Sequence, residues 1–260
     1  MKAKTNAEKE WLRKLKAGAV PETEEKAVSQ DAATQTEEKK PTAKHSHGFS
    51  DVAGMDELKR MVTEGFINVL HNRECAKAYG ITPPSLLFYG PAGCGKTFFA
   101  EKIADEVGIS FIKVVPDDLA STLIHGTQEK IGEVFRKAER KAPTLIFFDE
   151  FDAMVPRRTN DDHNYQNGEV NEFLCMLNNA AEKGIYVLAA TNHPERIDKA
   201  VLRTGRIDEM IYVDMPDAKA REMLFRLELS KLPADKDIDF GHLAELTNGY
   251  NCSEIGRAHV

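Results

Sequence analysis

The sequence predicts an α/β fold: a mainly parallel five-stranded sheet covered by helices on both faces, three layers in all, followed by a short α-helical segment. Three observations carry this expectation. Short apolar runs alternate with amphipathic stretches between residues 85 and 213, the pattern of repeated strand, helix, strand units. The run Thr144 to Phe148 is apolar almost throughout, as a parallel strand buried on both faces must be. A glycine-rich octet, Gly90-Pro91-Ala92-Gly93-Cys94-Gly95-Lys96-Thr97, separates one apolar run from one helical pattern.

Composition narrows the classes of function. The chain has 260 residues and a net charge of −7, enough length for one large domain or two small ones. An acidic balance offers no basic field for nucleic acid, so no nucleic-acid partner is expected. No stretch long enough to cross a bilayer is continuously apolar, and Met1-Lys2-Ala3-Lys4-Thr5 leads into charge rather than a signal core. A soluble, cytoplasmic protein without a membrane segment is expected. Cys75, Cys94, Cys175 and Cys252 lie far apart and form no C-x-x-C pair, which points to neither a zinc site nor a disulfide framework.

Residues 1–48 are rich in Lys, Glu, Ala, Thr and Gln, with Trp11 the only aromatic. Such a segment buries too little apolar surface to offset the entropy of ordering, and it reads as a disordered tail. Trp11, Leu12 and Leu15 nevertheless share a helical face within Ala7 to Ala19, leaving a docking peptide as the other reading. His45 and His47 have no further ligands nearby in sequence and are not expected to hold a metal.

The folded part opens at Phe49. Leu58, Met61, Val62, Phe66, Val69 and Leu70 repeat with helical period and predict one helix over Asp56 to Ala78, stopped before Pro83-Pro84. Strands are expected at 85–89, 110–115, 144–148, 185–190 and 210–213. Helices are expected at 98–107, 129–141, 169–182, 197–202, 217–229 and 240–246. The chain thus divides into a tail at 1–48, a sheet domain at 49–216 and a helical segment at 217–260, which the resemblance named below makes an incomplete lid.

The octet fits G-x-x-x-x-G-K-[ST], the phosphate-binding loop, in the strand, loop, helix context which that motif requires. Its glycines let backbone N–H groups turn around a phosphate, and the helix start favours negative charge. Lys96 is expected at the β- and γ-phosphates and the Thr97 hydroxyl on Mg²⁺. Phe148-Asp149-Glu150 ends a buried strand in two acids. Asp149 is placed to hold Mg²⁺, mostly through water, and Glu150 to polarise the attacking water. Asn192, after the next strand, both donates and accepts, so it could hold the water and a phosphate oxygen. Arg203 and Arg206 flank Gly205 and read either as solvated surface or as cationic fingers.

Taken together these residues resemble the classical AAA subgroup of the AAA+ ATPases from Phe49 to about Ile255. The resemblance rests on Asp51-Val52-Ala53-Gly54, the octet, Phe148-Asp149-Glu150-Phe151-Asp152, Ala190-Thr191-Asn192-His193-Pro194 and Ala200 to Asp208. It implies that Lys96 and Thr97 serve Walker A, Asp149 and Glu150 Walker B, and Asn192 sensor 1. Pro91, Ala92, Gly93, Cys94, Gly95 and Phe98 would then join Lys96 and Thr97 in binding ATP, with main chain at Asp51, Val52 and Ala53 against adenine. It also implies that Arg203 and Arg206 reach a neighbouring subunit's nucleotide, so that active sites form in a homo-oligomeric ring, usually a hexamer, acting on a protein substrate or adaptor.

Two stretches depart from that pattern. The pore loop of AAA unfoldases carries an aromatic, apolar, Gly triplet, whereas Ser121-Thr122-Leu123-Ile124-His125-Gly126 has no aromatic residue. Leu123, Ile124 and His125 are the corresponding substrate-contact candidates, and Pro156 to Gly168 resembles the second pore-facing loop. Gly249-Tyr250-Asn251-Cys252-Ser253-Glu254-Ile255 resembles the family's lid turn, with Cys252 and Ser253 in place of a Gly-Ala pair. The chain then stops short of the remaining lid helices, as a truncated sequence would. Ile255 to Val260 is what one frame of a common sequencing-adapter oligonucleotide encodes, so these last six residues are expected not to be native. Two other functions compete: a nucleotide-dependent scaffold or switch that threads nothing, and a nucleotide kinase, which lacks paired arginines after an Asn-bearing strand.

Overall fold

In a computed structural model the protein is described over residues 48–120, 126–157, 173–178, 180–203, 205–230 and 237–257. Leu123, Ile124 and His125, most of Pro156 to Gly168 and the helix-prone tail segment lie outside the described residues. The strands are β1 (Leu86–Tyr89), β2 (Ser110–Val114), β3 (Thr144–Phe148), β4 (Ile185–Thr191) and β5 (Glu209–Tyr212), ordered β2-β3-β4-β1-β5 in one sheet. All four pairings are parallel, so the sheet is wholly rather than mainly parallel.

Alternation along the strands divides the core in two. Leu86, Phe88, Leu145, Phe147, Leu188 and Ala190 face one side, where they meet α1 (Asp56–Val62), a π turn (Thr63–Ile67) and α4 (Lys96–Val107). Leu87, Ile146, Phe148, Val187 and Ala189 face the other, against α5 (Pro116–Leu119), α6 (Gly126–Arg140) and α7 (Phe151–Met154). Successive side chains of a strand point to opposite faces, which is why a strand apolar at every position can serve both layers. Phe148 is the hub of the second layer, with ring centroids of Phe173, Phe151 and Phe135 at 4.8, 6.0 and 6.2 Å.

Three expected helices differ in the structure. The helix over 56–78 is interrupted by the π turn and ends its next segment, α2 (Asn68–His71), at Asn72 before α3 (Arg73–Ala78) begins. Asn72 has φ −107° and ψ 33°, and its side-chain amide donates to the Asn68 carbonyl at 2.9 Å, competing with the helix for that acceptor. Within the stretch expected over 169–182, the described helix covers 173–177, and Ala181–Lys183 is a separate 3₁₀ turn. Residues 197–202 form turns, because Ile197 bridges Pro156 and the buried Asp198 carboxylate accepts the Ala200 N–H at 2.7 Å.

The C-terminal helices are α8 (Ala218–Leu229), α9 (Phe240–Leu246) and α10 (Cys252–Arg257). Asp217 caps α8 by accepting from the Ala220 N–H at 2.7 Å, and Asp239 caps α9 by accepting from His242 at 3.0 Å. Buried Arg221 ties the two together, its guanidinium donating to the Ala244 carbonyl at 2.9 and 3.2 Å and to Pro216 at 2.9 Å. Asn251 and Glu254 cap α10 reciprocally, at 2.8 Å each way. This helix start rests on the glycine loop: the Ser253 N–H donates to the Gly93 carbonyl at 3.2 Å. Gly93, at φ 76°, must be glycine here, since a Cβ would lie 2.7 Å from the Asn251 side chain. Among the described residues no helix is long and apolar enough to cross a membrane.

The packing sets two expectations. Phe148→Ala removes the hub ring and should cost about 3–5 kcal/mol of stability, read as a lowered urea midpoint; a loss within experimental error would contradict the hub role. Burial pushes the Cys252 thiol up to about 11, with Cys94 nearby adding to the effect, and burial raises Cys94 as well. The thiolate is the reactive form. At pH 8 both should therefore be alkylated by iodoacetamide more slowly than exposed Cys175, as followed by peptide mass spectrometry.

Candidate functional site

Strands β1, β3 and β4 are neighbours in the order β3-β4-β1, and all run the same way. Their carboxyl ends therefore bring three segments to one edge: the glycine loop after β1, Asp149 and Glu150 after β3, and Asn192 after β4. Ligands of open parallel sheets bind along this edge.

Lys96 anchors the assembly. It opens α4 and is only 8% exposed, and its ammonium donates to the Gly90 carbonyl at 2.9 Å, the Pro91 carbonyl at 2.7 Å and Asn192 Oδ1 at 2.7 Å. One cation thus holds the start of its own loop and the turn after β4. Burial pushes its pKa down, opposed by the neighbouring Cys94 and Asp149. Gly95 precedes it at φ 83°, a left-handed conformation that glycine adopts without cost. The backbone N–H groups of Ala92, Gly93 and Gly95 have no hydrogen-bond acceptor among the described residues. Unpaired N–H groups beside a helix start and a buried ammonium are the donor set of an anion site, and they fit the phosphates of a nucleotide.

The Thr97 hydroxyl donates to Asp149 Oδ2 at 2.9 Å, while Asp149 Oδ1 accepts from the Glu150 N–H at 3.1 Å. Two hard oxygens, one of them charged, suit Mg²⁺, which takes few protein ligands and completes its shell with phosphate oxygens and water. Among the described residues no cluster of three or more His, Cys, Asp or Glu offers a softer metal a site. Glu150 sits at φ 50° and ψ 46°. A non-glycine residue held there costs on the order of 1–3 kcal/mol, and such strain collects at functional positions. The turn releases Glu150 from the strand, so its carboxylate is exposed beside the paired Asp149.

The remaining expected residues divide. Asp51 and Val52 are tied to α4 and α1, and Ala53 follows them half-buried. Asp51 pairs with Lys102 at 2.8 Å, and the Val52 carbonyl accepts from Lys59 at 2.6 Å. Both backbone polar groups of Val52 are used within the chain, since its N–H donates to Phe49 at 3.2 Å. Pro91, Ala92 and Cys94 belong to the loop proper, whereas Phe98 is exposed and lies 5.6 Å below the Lys102 ammonium. Arg203 is exposed, with no side-chain hydrogen bond or ion pair among the described residues. Arg206 is engaged, donating to the Ala200 carbonyl at 2.7 Å and to Asn178 Oδ1 at 3.4 Å.

Several contributors do not stand out in the sequence. The Thr191 hydroxyl donates to Asp152 at 2.5 Å and accepts the His193 N–H at 2.8 Å, which fixes the turn that carries Asn192. Asp208 accepts from Ser85 at 3.0 Å and from Gly205 at 2.7 Å, binding the arginine turn to the foot of β1. Lys113 of β2 lies 3.1 Å from Asp149 Oδ2. Asp152 and Asp208 stand inside quoted motifs, but only the strand pairing reveals what they hold. For Lys113 the available signal is a lysine inside the apolar run 111–115.

Comparison with known proteins agrees with this geometry. The family described as "ATPase family associated with various cellular activities (AAA)" matches residues 86–215, from the first strand through the last. The human protein named ATPase family gene 2 protein homolog A is 35% identical over 211 residues, covering 80% of this chain. The chain spans about a quarter of that relative's length, 24%. A parallel sheet with its glycine loop, acids and amide at one edge, inside the span which the family matches, means that this chain belongs to the AAA family of ATPases.

Proposed function

We propose that the chain binds ATP with Mg²⁺ and hydrolyses it in a site completed by a neighbouring copy, within a ring-shaped homo-oligomer, a hexamer by family resemblance. In this reading residues 49–216 are the ATPase domain and 217–260 part of a helical lid. The work of the ring is to remodel or unfold a protein, delivered directly or by an adaptor, in the cytoplasm. The observation that carries the reading is the convergence on Lys96: its ammonium joins the glycine loop to Asn192, while Thr97 in the next helical position joins that loop to Asp149.

Roles follow from what each group can do. The loop N–H groups and Lys96 hold the phosphates, and Thr97 and Asp149 hold the metal, which when bound neutralises phosphate charge. Glu150 takes a proton from the attacking water, and Asn192 orients that water. Reaching the phosphates requires Lys96 to exchange at least one of its carbonyl or amide partners for a phosphate oxygen, a trade of neutral acceptors for a charged one. Arg203, exposed and unpaired among the described residues, suits the neighbour's site; Arg206, tied to Ala200, suits the task of shaping the turn. Phosphoryl transfer is largely positioning and charge stabilisation, so separated halves should be poor catalysts.

A second reading, an ATP-dependent scaffold or switch that threads nothing, is favoured by the absence of an aromatic residue from Ser121 to Gly126. Loss of a folded reporter protein under ATP distinguishes the two, and Leu123→Ala with Ile124→Ala should slow that loss if the stretch grips substrate.

The catalytic reading is tested by ATPase rate against protein concentration. The wild-type rate per subunit should rise steeply with concentration. Glu150→Gln should lower turnover by about 10²–10⁴-fold while nucleotide binding persists. Arg203→Ala should lose the concentration-dependent gain with its melting temperature unchanged, and Arg206→Ala should also lose stability. A rate per subunit independent of concentration would count against the shared site.

A further inference from the structure

Lys113 is the one charged residue of β2, and its direction is set by the sheet. Ile112 and Val114 face the layer of α6, so Lys113, between them, faces the layer of α4 and the glycine loop. On β3, Leu145 and Phe147 face that same side, and the next residue of the series is Asp149. The β2-β3 register pairs Lys113 with Phe147, and the Asp149 N–H continues the ladder to the Val114 carbonyl at 3.0 Å. The sheet thereby delivers an ammonium to the carboxylate beside Thr97. Its Nζ lies 3.1 Å from Asp149 Oδ2, the oxygen that also accepts the Thr97 hydroxyl at 2.9 Å.

An ion pair of this exposure contributes little to stability: the Lys113 side chain is 40% exposed and that of Asp149 22%. The effect of the pair is greater on whatever else seeks that oxygen. A lysine ammonium on a flexible stem can be displaced without refolding the strand, whereas its charge opposes any second cation at the same carboxylate. The other lysine of the site, Lys96, is aimed at Gly90, Pro91 and Asn192, so the two ammonium groups divide the edge between them.

We propose that Lys113 is a built-in counter-cation that competes with Mg²⁺ for Asp149 and so sets how strongly nucleotide binding depends on Mg²⁺. The inference rests on the reading that Thr97 and Asp149 hold the metal. It makes Lys113 a positioning residue with two opposite effects. Its charge supports phosphate binding when metal is scarce, and its occupancy of Asp149 raises the Mg²⁺ concentration needed for the tight complex.

The test uses the 260-residue chain and fluorescently labelled ADP, titrated in EDTA and then at increasing Mg²⁺. Lys113→Gln should bind labelled ADP about 3- to 10-fold more weakly in EDTA and reach its Mg²⁺ half-point at about 3- to 10-fold lower concentration. Lys113→Arg, which keeps the charge, should follow the wild type. An unchanged half-point in Lys113→Gln, or an equal shift in Lys113→Arg, overturns the proposal. Lys113→Ser is read in the same way and guards against a folding defect peculiar to glutamine. Asp149→Asn reports separately on the underlying reading: it should lose the gain in affinity which Mg²⁺ brings, and full retention of that gain would refute the metal role of Asp149 whatever Lys113 does.

Discussion

Everything at the functional edge depends on the buried ammonium of Lys96. A charge taken that far from water must be compensated by acceptors, and three are supplied, two carbonyls of its own loop and the Asn192 amide oxygen. Those acceptors come from the ends of β1 and β4, adjacent strands in register from Leu86 with Leu188 to Tyr89 with Thr191. The sheet must therefore be correctly paired before the site exists. Conversely, the loop conformation that leaves its N–H groups available to an anion is held partly by the side chain that would share that anion.

Around this cation the charges are arranged in pairs with graded exposure. Asp149 is bracketed by a hydroxyl and an ammonium, while Glu150, one residue later, is turned out by a left-handed backbone and left to solvent. Two adjacent carboxylates thus occupy different environments, one paired and half-buried, the other exposed. The supporting groups sit one step further out. Asp152 holds Thr191, and Asp208 holds the turn between Arg203 and Arg206 against Ser85. Through Asp208 the arginine turn is tied to the amino end of β1, the strand whose carboxyl end carries the glycine loop.

The sheet was legible because its signals are strong and local: nearly unbroken apolar runs along β1, β3 and β4, and glycines where the backbone must turn. The glycine octet and the Asp149-Glu150 pair could be assigned to one edge by rule alone. What escaped depends on contacts distant in sequence or on side-chain competition with the backbone. Asn72 breaks the expected helix by taking the Asn68 carbonyl, and Asp198 replaces a helical turn with a side-chain turn. Lys113 looks like an ordinary strand residue until its register with β3 is known. The division between exposed Arg203 and engaged Arg206 likewise depends on Ala200 and Asn178, which the motif does not distinguish.

The most direct test of the central claim is hydrogen exchange on the Glu150→Gln chain, with and without Mg²⁺ and ATP, since that substitution is designed to preserve the complex. The account predicts slowed exchange at the amides of 90–97, where unpaired N–H groups acquire phosphate acceptors, and at 191–193, where the Asn192 turn is tightened, with little change in the already protected strand 86–89. Protection elsewhere on the fold, with 90–97 exchanging at its nucleotide-free rate, would contradict it.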